Sequence, residues 1–167
     1  MPIPNIPQPE LLEIDGTLRL RKFDGQFDFA LSWYQDPETV MLVDGKSEPY
    51  DMEKLRRMYT YLDRAGECYF IELDQGAGFE PVGDVTLWQE DMPIVIGRKD
   101  LWGRGVGTKV VRRLIRRGRE LGFSYLRVNE IYSYNLGSQR LFTGCGFLPE
   151  RETPQGKSYR LDLTVET

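Results

Sequence analysis

The 167-residue sequence contains no histidine. Serine–histidine and cysteine–histidine catalytic arrangements are therefore excluded, together with most zinc and haem sites, because each depends on an imidazole. Any acid–base chemistry has to use carboxylates, tyrosine, lysine, cysteine, backbone groups or water.

Cysteine is scarce, and long apolar runs are missing. Cys68 and Cys145 stand alone, and without an export signal two lone cysteines favour buried thiols over a disulfide. The sequence has no apolar run long enough for a membrane span and no basic-then-apolar leader, so neither a span nor a secretion signal is predicted. These absences predict a cytoplasmic protein that does not enter a membrane.

Length and composition predict one globular domain over residues 1–167. Hydrophobic residues make up 40% and charged residues 29% of the chain, the balance of an ordinary globular protein. The proline-rich residues 1–16 are predicted to form an extended N-terminal arm.

Charge is unevenly distributed along the chain. The net charge is −4, yet residues 98–127 contain ten Lys or Arg against Asp100 and Glu120, so the remainder is strongly acidic. A basic element in an acidic protein attracts a polyanion on one side and a cation on the other. A solvated helix face explains the same pattern, and both interpretations stay open.

Apolar spacing predicts a β-α-α-β-β-β-α-β-α-β order. The first four elements are a strand over 17–23, a helical segment over 25–43 with a break near Asp36–Pro37, a helix capped by Asp51 and ended by Gly66, and a strand over 68–73. Strands over 81–89 and 93–97, a helix starting at Thr108 and ending at Gly122, a strand over 124–132, a helix over 135–145 and a strand over 157–166 follow. This order predicts a mixed sheet with helices, α/β or α+β in class, with a βαβ crossover around the long helix.

A cluster of glycines, "WGRGVG", lies between a predicted strand and a helix. Such a turn exposes backbone N–H groups at a helix N-terminus, where phosphate groups bind. The P-loop pattern is absent because Thr108 precedes Lys109, and the spacing of Gly103, Gly105 and Gly107 does not fit the Rossmann fingerprint. A purely structural turn remains an alternative.

"WGRGVG" resembles motif A of the GCN5-related N-acetyltransferases (GNAT), with Trp102 at the usual Gln or Arg position. "NLGSQRLFTGCGF" is similar to the ending of the RimJ/RimL-like and aminoglycoside 6'-N-acetyltransferase-like branches, and the resemblance covers roughly residues 81–147. It implies the GNAT fold, a mostly antiparallel central sheet of about six to seven strands flanked by helices. It also implies acetyl-CoA as co-substrate and no metal.

The resemblance implies a set of cofactor-binding residues. The strand Ile94, Val95 and Ile96 would present backbone groups to the pantetheine arm, and the loop amides would hold the pyrophosphate. Asn135 and Ser138 would lie along the cofactor, although Asn135 also suits a helix N-cap. The implied cofactor-binding residues are Ile94, Val95, Ile96, Trp102, Gly103, Arg104, Gly105, Val106, Gly107, Thr108, Asn135 and Ser138.

The resemblance also suggests catalytic candidates. Glu90 and Asp91, at the entrance of the strand, are candidate bases, with a solvated hairpin as the alternative. Phe142 occupies the position where many members have a tyrosine that protonates the departing thiolate. Tyr132 or the nearby Tyr134 is therefore a candidate acid, with solvent as the alternative. The N–H of Val95 is the candidate oxyanion donor.

The acidic remainder predicts a cationic acceptor. Asp44, Glu48 and Asp51 lie near a loop between early helices, where the family shapes its acceptor site. The predicted function is acetyl transfer to a primary amine of a small cationic molecule, such as an aminoglycoside, polyamine or amino sugar, or of a protein N-terminus. The alternatives are a non-catalytic module that binds CoA or a small ligand, and a nucleic-acid binder using the arginine-rich helix. A homodimer is compatible with the resemblance.

Overall fold

The computed structural model describes residues 5–164. Their chain divides into two compact units, the first over residues 5–86 and 94–102 and the second over residues 87–93 and 103–164. The single domain over residues 1–167 stays a prediction.

The first unit contains a five-stranded sheet in the order β1-β2-β3-β4-β5. The strands are β1 (Leu11–Asp15), β2 (Leu18–Lys22), β3 (Glu67–Asp74), β4 (Phe79–Leu87) and β5 (Ile94–Ile96). β1 pairs with β2, which pairs with β3, and β4 pairs with β5, each antiparallel. β5 is therefore an edge strand of this sheet.

β1 lies inside the segment that was expected to form an extended arm. Leu12 is buried and stands opposite Leu20 of β2, so residues 11–15 are a sheet strand instead. The strand was not recognised in the sequence because only one of its side chains is fully buried and the segment before it is rich in proline. Residues 1–4 of the expected arm lie outside the described residues.

Two α-helices and two 3-10 helices cover this sheet. Residues 28–30 and 33–35 form the 3-10 turns, and α1 (Pro37–Asp44) starts at the predicted break, where Asp36 accepts a hydrogen bond from Thr39 N at 2.9 Å. α2 (Met52–Ala65) has the predicted caps, Asp51 and Gly66. Apolar side chains of these helices pack with β3 in one buried core that includes Val40, Leu55, Tyr59, Leu62 and Phe70.

The second unit contains α3 (Val106–Glu120), β6 (Tyr125–Tyr132), α4 (Leu136–Gly144), β7 (Leu148–Glu152) and β8 (Gly156–Asp162). Its three strands pair antiparallel in the order β6-β8-β7. α3 packs closely over the sheet at Gly118, where an added Cβ would lie 3.3–3.4 Å from Leu163 and Leu126. Gly122, at φ +81°, follows the end of α3 as expected.

The α/β class and the antiparallel strands are confirmed. The described strands form two sheets instead of one, and β5 and β6, the strands of the predicted crossover, belong to different sheets. β7 was not predicted because all five of its side chains are exposed and Pro149 interrupts the pattern. The closing strand ends at Asp162, and residues 165–166 of its predicted range lie outside the described residues.

Among residues 5–164, no helix has the length and apolar character needed to cross a membrane.

Candidate active site

The glycine loop leads directly into α3. The helix begins at Val106, two residues earlier than the expected start at Thr108, and Gly105 is its N-cap. The bond from Lys109 N to Gly105 O, at 3.2 Å, opens the helical ladder. The amides of Val106, Gly107 and Thr108 precede that bond, so they have no acceptor within the helix.

Glycine is required at the three loop positions for different physical reasons. Gly103 (φ +76°) and Gly105 (φ +86°) adopt left-handed backbone conformations that side chains disfavour. Gly107 lies inside the helix, where an added Cβ would lie 3.2 Å from the Leu141 side chain of α4. Gly103 and Gly105 therefore shape the loop, whereas Gly107 permits close packing of α4.

One cationic side chain and the helix dipole make this helix start electropositive. Arg104 is exposed beside it, and the helix dipole adds positive potential at the open amides. An anion is therefore favoured here. Further along α3, the side chains of Lys109, Arg112, Arg116 and Arg119 are exposed at helical spacing, and Glu120 pairs with Arg116 at 3.4 Å.

The backbone of β5 alternates in direction. Gly97 N donates to Val82 O at 2.7 Å, and the ladder continues from there without a register shift. Hydrogen-bonded and non-hydrogen-bonded pairs alternate in an antiparallel ladder. Val95 therefore directs its N–H and C=O toward β4, whereas Ile94 and Ile96 direct theirs to the open edge.

This direction corrects the expected role of one residue. The Val95 N–H faces β4, so it is not available as an oxyanion donor at the edge. The outward N–H groups belong to Ile94 and Ile96. At the same edge, Trp102 Nε1 donates to Ile96 O at 2.7 Å.

Asn135 is the N-cap of α4. Its Oδ1 accepts a hydrogen bond from Ser138 N at 3.1 Å, so the capping alternative is confirmed and both residues have a local structural role. Gln139 Nε2 donates to Tyr132 O at 3.2 Å and to Ser133 O at 3.0 Å, which fixes the start of α4 against the end of β6.

Glu90 is held in an ion-pair network. Its carboxylate accepts hydrogen bonds from Tyr125 OH and Arg127 Nη1. Arg127 also binds Glu150 through Nε and Nη2, at 2.8 and 2.9 Å, and holds the pKa of Glu150 at about 2. Glu90 is therefore a structural partner of Tyr125 and Arg127, and each of its carboxylate oxygens already accepts a hydrogen bond.

Asp91 has a different environment. Its Oδ1 accepts from Met92 N and Asn129 N, both at 3.0 Å, which ties the turn before β5 to β6. Burial raises the pKa of Asp91 above its usual range, against the effect of these two hydrogen bonds. A carboxylate with a raised pKa accepts a proton more readily than an ordinary carboxylate, which keeps Asp91 a candidate base.

The tyrosines at the end of β6 stack on each other. The ring centroids of Tyr132 and Tyr134 lie 5.4 Å apart with an interplanar angle of 21°. Phe142 is only 2% exposed and packs edge-on against Phe147, at 5.1 Å. Phe142 is thus a core residue without a proton to donate, and Tyr132 remains the candidate acid.

A buried carboxylate on β4 was missed by the sequence analysis. Asp84 Oδ2 accepts hydrogen bonds from Tyr34 OH at 2.7 Å and Tyr59 OH at 2.8 Å. Burial raises the pKa of Asp84 to about 6. A charged residue inside the otherwise apolar stretch "PVGDVTLW" was the available signal.

Comparison with known proteins agrees with this architecture. The family model for the acetyltransferase (GNAT) domain matches residues 17–148, most of the chain. No curated protein matches. The chain therefore belongs to the GNAT acetyltransferase family. It is in consequence an acetyl-CoA-dependent N-acetyltransferase, the class of enzyme that this family comprises.

Solved structures show the same fold. Spermidine N-acetyltransferase from Vibrio cholerae, in complex with CoA and spermine, is 18% identical, with 90% of this chain and 98% of that chain covered and a TM-score of 0.70. The aminoglycoside acetyltransferase AAC(6')-Ib with coenzyme A is 16% identical, with coverages of 87% and 95% and a TM-score of 0.69. RimL, a ribosomal L7/L12 alpha-N-protein acetyltransferase with coenzyme A, is 15% identical, with coverages of 92% and 98% and a TM-score of 0.71. At these identities the likeness establishes the fold alone.

Proposed function

We propose that this chain transfers the acetyl group of acetyl-CoA to a primary amine on a small cationic molecule or a protein N-terminus. The observation that carries the proposal is the start of α3. Gly105, in a left-handed conformation, caps the helix and leaves the amides of Val106, Gly107 and Thr108 without helical acceptors.

The residues present fit acetyl-CoA. Open amides, the helix dipole and the exposed Arg104 suit a pyrophosphate, and the outward backbone groups of Ile94 and Ile96 suit an extended chain that contains amides. The co-substrate supplies an activated thioester. The chain itself has to bind the anion, receive the amine in its neutral form and manage two protons.

Asp91 is the proposed proton acceptor. An attacking amine has to lose its ammonium proton, and a carboxylate whose pKa is raised accepts a proton more readily than an ordinary one. Glu90 is the weaker candidate because Tyr125 and Arg127 already bind its carboxylate. Tyr132 is the proposed acid for the thiolate, with solvent as its alternative.

A cationic acceptor is supported by the loop between α1 and α2. Asp44 accepts from Tyr50 OH at 2.9 Å and Lys54 Nζ at 3.5 Å, and Asp51 caps α2. Glu48 is exposed and is the loop acid with most freedom to meet a cation. Two proteins of the same fold are named as acetyltransferases of spermidine and of aminoglycosides, and both kinds of compound are polycationic.

The test is a thiol-release assay with acetyl-CoA and a panel of amines, with product masses measured. The panel contains spermidine, an aminoglycoside, glucosamine and a peptide with a free N-terminus. Amine-dependent thiol release with a mass gain of one acetyl group supports the proposal. Tight binding of CoA without turnover on any amine is the behaviour of a non-catalytic binding module and contradicts it.

The exposed cations of α3 give the nucleic-acid alternative a specific surface. Electrophoretic mobility shifts with duplex DNA and with RNA, at low and high salt, test it directly. A salt-sensitive shift would favour that alternative, whereas the proposal predicts no shift at physiological salt.

A further inference from the structure

The peptide group between Ile96 and Gly97 has a fixed orientation. Gly97 N–H points inward and donates to Val82 O at 2.7 Å. Because the peptide group is planar and trans, Ile96 C=O points the opposite way, off the open edge of β5. The Ile96 carbonyl thus faces the edge along which an extended ligand would pair with the strand.

The indole of Trp102 already occupies that acceptor. Trp102 Nε1 donates to Ile96 O at 2.7 Å, a short and well-formed bond. The intervening 3-10 turn returns the chain to the strand, with bonds from Leu101 N to Arg98 O and from Trp102 N to Lys99 O, both at 3.1 Å. The indole is thus placed by the backbone turn that leads into the glycine loop.

A second tryptophan fixes the same peptide from another direction. An added Cβ at Gly97 would lie 2.2 Å from the ring of Trp33, so the ring lies directly against the backbone there. Trp33 is buried and packs edge-on against Phe29, at 5.7 Å. The end of β5 is therefore held by a hydrogen bond from Trp102 and by the packing of Trp33.

We propose that Trp102 is a positioning residue for the cofactor strand: its indole N–H fixes the Ile96 carbonyl and stays bonded to it when acetyl-CoA binds. The cofactor then pairs with the remaining outward groups, the N–H and C=O of Ile94 and the N–H of Ile96. This inference rests on the proposed use of β5 by acetyl-CoA. It gives the tryptophan at the Gln or Arg position of motif A a defined task through one donor atom.

The variant Trp102→Phe removes the N–H donor and keeps an aromatic ring. We expect the Kd and KM for acetyl-CoA to rise about two- to tenfold, the range of one lost hydrogen bond. kcat should stay within about twofold, because Trp102 does not touch the reacting atoms. The control is Tyr61→Phe, which removes a hydroxyl from an exposed ring on the outside of α2 and should change none of these values.

A second measurement uses the wild-type protein and does not depend on the folding of a variant. The indole N–H of Trp102 should exchange with solvent more slowly than that of the similarly exposed Trp88, with and without CoA. Loss of that protection on addition of CoA would mean that the cofactor displaces the indole, which overturns the inference. A Trp102→Phe variant that binds acetyl-CoA as tightly as Tyr61→Phe, or more tightly than wild type, would overturn it too.

Failure of the proposed function has a different signature. If wild-type protein does not bind acetyl-CoA at all, the cofactor assignment falls and the inference falls with it. If wild type binds and only the Trp102→Phe effect is missing, the inference alone is refuted.

Discussion

Asp84 makes the stability of the first unit depend on pH. The side chain is 2% exposed, and its Oδ2 accepts from two buried phenols, Tyr34 and Tyr59. Desolvation disfavours the charged carboxylate and raises its pKa to about 6, although the two phenol bonds act in the opposite direction.

The raised pKa sets both the sign and the size of the effect. The folded protein holds the Asp84 proton more tightly than the unfolded chain, whose pKa is near the ordinary 3.8. The stability contribution is therefore complete below about pH 4, falls as pH rises toward 6 and is level above it. A pKa difference of this size corresponds to about 3 kcal/mol of unfolding free energy.

The variant Asp84→Asn isolates this contribution because an amide does not titrate. Urea unfolding at intervals from pH 4 to pH 7.5 gives the free energy of unfolding of both proteins. We expect the wild type to lose about 2 kcal/mol relative to Asp84→Asn between the two ends of the range, because part of the contribution is already lost at pH 4. Asp28→Asn, at an exposed aspartate, is the control for losing a surface carboxylate. A difference in unfolding free energy between wild type and Asp84→Asn that does not change with pH would mean that Asp84 does not have a raised pKa in the folded protein.

Three further predictions concern packing, proton transfer and the acceptor. Gly156→Ala should lower the free energy of unfolding by more than about 2 kcal/mol, because its Cβ would lie 1.9 Å from Ile131 O; Gly144→Ala, with open space around its Cβ, should not destabilise in the same urea titration. Asp91→Asn should lower kcat, and kcat/KM of this variant should no longer rise as the pH passes the raised pKa of Asp91. Glu90→Gln should keep the wild-type pH profile. The reverse result would assign the base role to Glu90. Glu48→Gln should raise KM for a polycationic acceptor and leave KM for acetyl-CoA unchanged; equal changes in both would argue against an acceptor role.

Local signals in the sequence predicted much of the fold. Asp51 and Gly66 marked the ends of α2 correctly, since capping depends on residues within one turn of the helix. The glycine cluster likewise located the start of α3 to within two residues. β1 and β7 were not predicted because neither shows alternating buried and exposed side chains. β1 has one fully buried side chain and β7 has none.

Features that depend on distant partners were not predictable. The environment of Asp84 depends on two tyrosine hydroxyls that lie 50 and 25 residues away in sequence. Nothing in the sequence around either tyrosine indicates that it binds Asp84. The direction of the Val95 N–H depends on the phase of the β4–β5 ladder, which is set by the bond from Gly97 to Val82. A shift of one residue in the pairing would turn the Val95 N–H toward the open edge.

Binding of the cofactor at the N-terminus of α3 can be measured by isothermal titration with acetyl-CoA. Gly105→Asp places a bulky like charge at the cap of α3, and Gly25→Asp is a matched control, because both glycines have open surroundings and nearly equal φ values, +86° and +88°. We expect binding to the wild type and to Gly25→Asp, with affinity at least about tenfold weaker for Gly105→Asp because amide contacts are lost and the charges repel. Equal affinity of the two variants for acetyl-CoA would contradict this expectation.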